Sequence, residues 1–129
     1  MGDFKEQLTA LKNCNFQKHL FAVFGSGPLA IRGMRESSEI DIIVKTELWT
    51  ELIKHYPLVN NYSLRIGSIE VLKDWKPWFD NSDALIDDAE EIEGVPFVKL
   101  KYVLIWKKMF GREKDLSDIE LIHSHLNKL

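Results

Sequence analysis

Leu20-Phe21-Ala22-Val23-Phe24-Gly25-Ser26-Gly27-Pro28 and, after a polar interval, Glu39-Ile40-Asp41-Ile42-Ile43-Val44 decide how this chain folds. The first run is apolar and aromatic and is stopped by a glycine, the pattern of a short buried strand. Pro28 suits the first turn of a helix, which is expected to continue through Leu29, Ala30 and Ile31 to about Met34. Arg35-Glu36-Ser37-Ser38 is polar and ends it. The second run is rich in β-branched residues and reads as another strand.

Working outward, Asp3 is placed to cap a first helix with Glu6 three residues on, and Phe4, Leu8 and Leu11 form one apolar stripe. Glu47 to His55 reads as a helix with Leu48, Leu52 and Ile53 inward, stopped by Pro57. Tyr62-Ser63-Leu64-Arg65-Ile66 alternates, Gly67-Ser68 turns, and Ile69-Glu70-Val71-Leu72 follows, so the pair predicts an antiparallel hairpin. Lys73 to Glu93 has no clear period; it carries Trp75, Trp78 and Phe79 and the acidic run Asp87-Asp88-Ala89-Glu90-Glu91. Phe97 to Phe110 is expected to be helical with Leu100, Val103 and Leu104 inward, and Gly111 fits its C-terminal cap. A last helix from about Leu116 to Leu126 is expected to bury Leu116, Ile119, Ile122 and Leu126. This order predicts an α/β (α+β) fold, a mixed sheet of about four to five strands flanked by helices, with a helical crossover between the first two strands.

The bulk properties bound the rest. A chain of 129 residues, 45% hydrophobic and 29% charged, is expected to form one globular domain over residues 1–129. The lone Cys14 has no internal disulfide partner, which suits a reducing, cytoplasmic setting. Met1-Gly2-Asp3-Phe4-Lys5 lacks the layout of a secretory leader, and no apolar stretch approaches the roughly 18 residues of a membrane span. A net charge of −3 argues against broad binding to a phosphate backbone, although a local basic patch stays open.

Three features carry chemistry. Gly25-Ser26 sits between a buried strand and a helix, where free backbone N–H groups and the helix dipole favour a phosphate; the plainer reading is a turn that needs glycine. Glu39 and Asp41 are two apart on a strand and so share a face, where like charges repel unless a cation lies between them. Oxygen ligands of that kind suit Mg²⁺; the plainer reading is a solvated strand end. Glu70 interrupts an apolar strand, where glutamate is depleted. Beside Glu39 and Asp41 it supplies a third carboxylate for a two-ion site; otherwise it faces outward.

The sequence Phe24-Gly25-Ser26-Gly27-Pro28-Leu29-Ala30-Ile31-Arg32-Gly33, then Ser38-Glu39-Ile40-Asp41-Ile42-Ile43-Val44, then Ile69-Glu70-Val71 resembles the nucleotidyltransferase superfamily. The likeness is to its small, minimal and toxin–antitoxin-associated members. The tail Leu104-Ile105-Trp106-Lys107, with Gly111-Arg112-Glu113-Lys114-Asp115-Leu116-Ser117-Asp118-Ile119, looks like the close of many such domains, so the resemblance spans nearly the whole chain. It implies the nucleotidyltransferase fold and a metal-dependent transfer of a nucleoside monophosphate from a nucleoside triphosphate to a hydroxyl acceptor. Glu39, Asp41 and Glu70 would hold two Mg²⁺ ions and serve catalysis, while Gly25, Ser26, Lys107, Arg112, Lys114 and Asp115 would bind the nucleotide. One departure stands out: Glu39 occupies the place of the usual first aspartate, and its extra methylene moves its oxygens outward. The acceptor is open among a tRNA end, a protein hydroxyl and a small molecule, and a partner protein or homodimer is compatible. The rival reading is a non-catalytic nucleotide- or protein-binding domain of the same fold, an antitoxin-like module.

Several of these residues have a second reading. Arg112 and Lys114 also fit exposed cations near a helix C-terminus, and Asp115 fits the cap of the last helix with Asp118 in its first turn. Trp75 and Trp78 fit either a base-stacking platform or core packing. His19, His55, His123 and His125 lack metal-ligand spacing. Gly25-x-Gly27-x-x-Ala30 matches a dinucleotide fingerprint, but the next strand follows too soon and no acidic ribose-binding residue ends it. No Gly-Lys-Ser/Thr follows Gly25, which excludes a Walker loop.

Overall fold

The computed structural model of the protein describes residues 3–76 and 78–127; the leader reading at Met1-Gly2, and Pro77, lie outside them. Helix α1 (Phe4–Asn13) starts where the sequence places it, with the Asp3 carboxylate accepting the Glu6 N–H at 2.9 Å, and it buries Leu8 and Leu11. Then come β1 (Phe21–Phe24), α2 (Gly27–Ala30), β2 (Ile40–Val44), α3 (Thr46–Leu52) and the strands β3 (Leu58–Asn60), β4 (Ser63–Ile66) and β5 (Ile69–Leu72). The chain continues through α4 (Ser82–Asp87), β6 (Glu90–Ile92), β7 (Val95–Phe97), α5 (Leu100–Phe110) and α6 (Leu116–Asn127).

The class is mixed α and β, and the sheet among the described residues has seven strands rather than four or five, in the order β3-β4-β5-β2-β1-β7-β6. Three short strands account for the difference. Phe97, expected to open the helix α5, instead ends β7 (Val95–Phe97), which runs parallel to β1 and pairs with β6. The first two strands are also neighbours in antiparallel register, Phe24 opposite Asp41, so the expected crossover is absent. The physical reason is the length of α2: at four residues it is one turn, too short to carry the chain back along the sheet. β5 then lies parallel to β2 on its other side, and β4 antiparallel to β5.

The central strands bury both faces. Ile40, Ile42 and Val44 pack with α1 and α3, whereas Ala22, Phe24 and Ile43 pack with α4, α5 and α6. Four residues of β2, Ile40, Ile42, Ile43 and Val44, have no solvent exposure, which leaves Asp41 the polar exception on that strand. Gly111 closes α5 in the left-handed region, as expected. On α6 the expected apolar face holds at Ile122, which is buried, and at Ile119 and Leu126, which are partly buried, but Leu116 is 58% exposed and Asp118 is buried instead. A 3₁₀ turn at Glu113–Asp115 precedes α6, and Asp118 is held inside by the Lys107 ammonium at 3.0 Å.

Candidate functional site

Asp41, the second residue of β2, lies beside the carboxyl end of β1, and the pairing of strands sets its neighbours. It lies directly opposite Phe24 on one side and Glu70 on the other, and Glu70 lies opposite Arg65. Residues in register across a sheet project from one face, so Arg65, Glu70 and Asp41 form a charged row on the α4–α6 side. Arg65 meets Glu70 at 3.5 Å. Burial, then the charges of Glu70 and Glu39, push the Asp41 carboxyl up to about 6, partly offset by Arg65. Burial is the first cause and the neighbouring carboxylates add to it, so the ionised form of Asp41 is disfavoured.

Gly25 explains why this row ends as it does. Its φ is +71°, and a Cβ there would stand 3.3 Å from the Asp41 Oδ2. Any other residue would be strained and would press on the carboxylate. Gly27 has no room either, since a Cβ would meet Val23 at 2.4 Å. Ser26 is half-buried and its hydroxyl meets that of Ser37 at 3.2 Å. With α2 reduced to one turn, the helix dipole expected there is small, and the backbone itself is what can face an anion.

Glu39 lies just before β2 rather than within it, and it is exposed. Ser37 fixes its backbone, donating from Oγ to the Glu39 carbonyl at 3.1 Å. Its field reaches Asp41, but among the described residues no three His, Cys, Asp or Glu side chains are gathered closely enough to hold an ion.

Asp41 and Glu70 line a cleft of ≈ 630 Å³ with Gly25, Lys73, Lys76, Trp78 and Arg112. Trp78 is half-buried and stacks on Phe110, with ring centroids 4.8 Å apart, and the Arg112 guanidinium lies 3.9 Å over the same Phe110 ring. Trp75 also borders this cleft, but it is 3% exposed and packs against Phe24 and Trp106, so it serves as part of the core beneath it.

The tail residues divide. Arg112 reaches the cleft, whereas Lys107 is buried with its ammonium 3.2 Å from Asp115 and 3.0 Å from Asp118. Asp115 gives both oxygens to side chains, accepting from Arg112 at 2.6 and 3.0 Å and from Lys107. Burial pushes its carboxyl up, but those hydrogen bonds and charges outweigh it and hold it below the usual range. Lys114 is exposed in the 3₁₀ turn. Sequence reasoning missed Arg65, Lys73 and Lys76; the period-two alternation of Ser63-Leu64-Arg65-Ile66 was the available signal for Arg65. Comparison of the chain with family models, curated proteins and solved structures yields no match.

Proposed function

We propose that this chain is a Mg²⁺-dependent nucleotidyltransferase of the nucleotidyltransferase fold, moving a nucleoside monophosphate from a nucleoside triphosphate to a hydroxyl acceptor. One observation carries the reading: Asp41 and Glu70 stand side by side in a cleft shared with Arg112, against a glycine whose positive φ and close approach to Asp41 disfavour a side chain. Burial, together with the charges of Glu70 and Glu39, disfavours the ionised Asp41, and a bound cation would relieve both. Hard oxygen donors of this number fit Mg²⁺, which takes one or two protein carboxylates and completes its shell with water and phosphate. Asp41 and Glu70 would hold it, with Glu39 the nearest further acid. Bound there, Mg²⁺ supplies charge neutralisation of the triphosphate and a lowered pKa for the attacking hydroxyl.

The protein's own groups do the rest. Gly25 offers backbone to the phosphates, with Ser26 on the adjoining groove, Arg112, Lys73 and Lys76 bring positive charge to the cleft, and Trp78 offers a ring face to a base. Lys107 and Asp115 serve indirectly by fixing the wall from which Arg112 projects. The exposed position of Glu39, outside the strand, favours a second reading in which the site binds a nucleotide without transferring it. Calorimetric titration with a non-hydrolysable triphosphate, with and without Mg²⁺, tests the first claim; Mg²⁺-independent or absent binding would defeat it. Pyrophosphate release in the presence of a hydroxyl acceptor separates transfer from binding alone.

A further inference from the structure

Five side chains of alternating charge run through the tail of the molecule and join two separate pockets. Arg35, in the segment between α2 and β2, donates from Nη1 to the Asp118 Oδ2 at 2.6 Å. The Lys107 ammonium lies 3.0 Å from that same oxygen and 3.2 Å from the Asp115 Oδ1. Arg112 takes Asp115 in turn, with Nη2 on Oδ1 at 3.0 Å and Nε on Oδ2 at 2.6 Å. The three middle members are nearly excluded from solvent, whereas the Arg35 side chain is 41% exposed and that of Arg112 30%. Arg35 lines a groove beside α1, and Arg112 lines the cleft of Asp41 and Glu70.

We infer that Arg35 is a positioning residue for Arg112, setting through Asp118, Lys107 and Asp115 how far that guanidinium is available to an anion in the cleft. The inference goes beyond the nucleotidyltransferase reading, and only its consequence for triphosphate rests on that reading. The sharing of oxygens carries it. Arg35 and Lys107 compete for the Asp118 Oδ2, and Lys107 and Arg112 compete for the Asp115 Oδ1. Without Arg35, Lys107 is drawn to Asp118 and loosens its hold on Asp115, which is then left to Arg112. The charge count points the same way. Arg35, Lys107 and Arg112 are three cations against the two carboxylates Asp115 and Asp118, so the network holds one positive charge in excess. Its end in the cleft is Arg112. Removing Arg35 balances the charges, and Arg112 is then neutralised by the protein's own carboxylate rather than by a ligand. The middle members are buried, so little solvent screens the effect along the way. A network that only held the tail helices together would need neither the excess charge nor an end in each pocket.

The test uses the full chain with Arg35→Gln, Arg35→Lys, Arg112→Gln and the double variant Arg35→Gln/Arg112→Gln. In ligand-free protein, the ¹⁵N NMR signal of the Arg112 Nε–H, identified by its loss in Arg112→Gln, should shift in Arg35→Gln and return toward its original place in Arg35→Lys. In calorimetric titration with Mg²⁺ and a non-hydrolysable triphosphate, Arg35→Gln should weaken binding by about fivefold or more, and Arg35→Lys should restore it. Once Arg112 is already Gln, removing Arg35 should change the affinity no further. An Arg112 signal indifferent to Arg35→Gln overturns the inference. So do losses from the two single variants that multiply in the double variant, because Arg35 would then act on the ligand without Arg112. A responsive Arg112 signal in a protein that binds no triphosphate would instead sink the nucleotidyltransferase reading and leave the positioning role standing.

Discussion

Two clusters of charge in the molecule, one around Lys107 and one around Asp41, are built on opposite terms. Around Lys107, two carboxylates, Asp115 and Asp118, meet cations at 2.6–3.2 Å, and Lys107, Asp115 and Asp118 are all nearly excluded from solvent. Around Asp41, Glu70 and Glu39 add their charge to burial, and Arg65 pairs with Glu70 at 3.5 Å, while among the described residues Lys73, Lys76 and Arg112 line the same cleft without an ion pair to Asp41. Burial raises both aspartates; at Asp115 the partners outweigh it, and at Asp41 neighbouring carboxylates add to it. A satisfied cluster ties the tail helices together. An unsatisfied one is tolerated by the fold for some other reason, and binding a cation is the reason its chemistry suggests.

The largest expected effect is on the satisfied side. Lys107→Met removes a buried cation from between two carboxylates and should cost about 3–5 kcal/mol. That corresponds to a fall in melting temperature of more than about 10 °C. A loss within about 1 kcal/mol would show that the network contributes nothing by its pairing. Because the Asp115 carboxyl is held low, its contribution is present at neutral pH and fades as pH falls through that lowered pKa. Acid melts of Asp115→Asn should therefore converge with those of the wild type. Next in size is Gly25→Ala, expected to cost about 1–3 kcal/mol for a non-glycine residue in the left-handed region. It should also weaken Mg²⁺-dependent triphosphate binding by displacing Asp41; unchanged affinity would separate Gly25 from the site. Smallest is Arg65→Gln, within about 1 kcal/mol in stability because the pair is half exposed. Its readout is the Asp41 titration by NMR, which should move higher, since Arg65 is what lowers it.

The same contrast explains what could be read from the sequence. β1, β2 and the β4–β5 hairpin were legible because their runs are long enough to show a period, and α1 because Asp3 and Glu6 form a cap. β3, β6 and β7 have three residues each, too few for alternation to emerge. β6 reads as part of an acidic run, and β7 contains Pro96, which argues against a strand. The carboxylate pair was half legible: Glu39–Asp41 spacing is visible, but that Glu70 falls opposite Asp41 depends on strand register, which no local pattern fixes. The satisfied cluster left a signal that went unused. Lys107 continues the inward face of Leu100 and Val103, and Asp118 that of Ile122, so each is a charge on an apolar helical face asking for a partner.

The central claim is that Asp41 is held at some expense to the fold for the sake of a cation. A carboxyl raised to about 6 binds its proton more tightly folded than unfolded, so it destabilises the protein above that pH and not below pH 3.8. Asp41→Asn should therefore stabilise the apo protein at pH 7 by on the order of 2 kcal/mol, with the gain disappearing near pH 4. Urea melts of the two proteins at both pH values, with and without Mg²⁺ and a non-hydrolysable triphosphate, measure this directly. At about 100 times the dissociation constant the ligand should stabilise the wild type by roughly 2.7 kcal/mol and leave the variant unmoved. A variant that loses several kcal/mol without ligand, or that gains as much from Mg²⁺ and triphosphate as the wild type, would contradict the account.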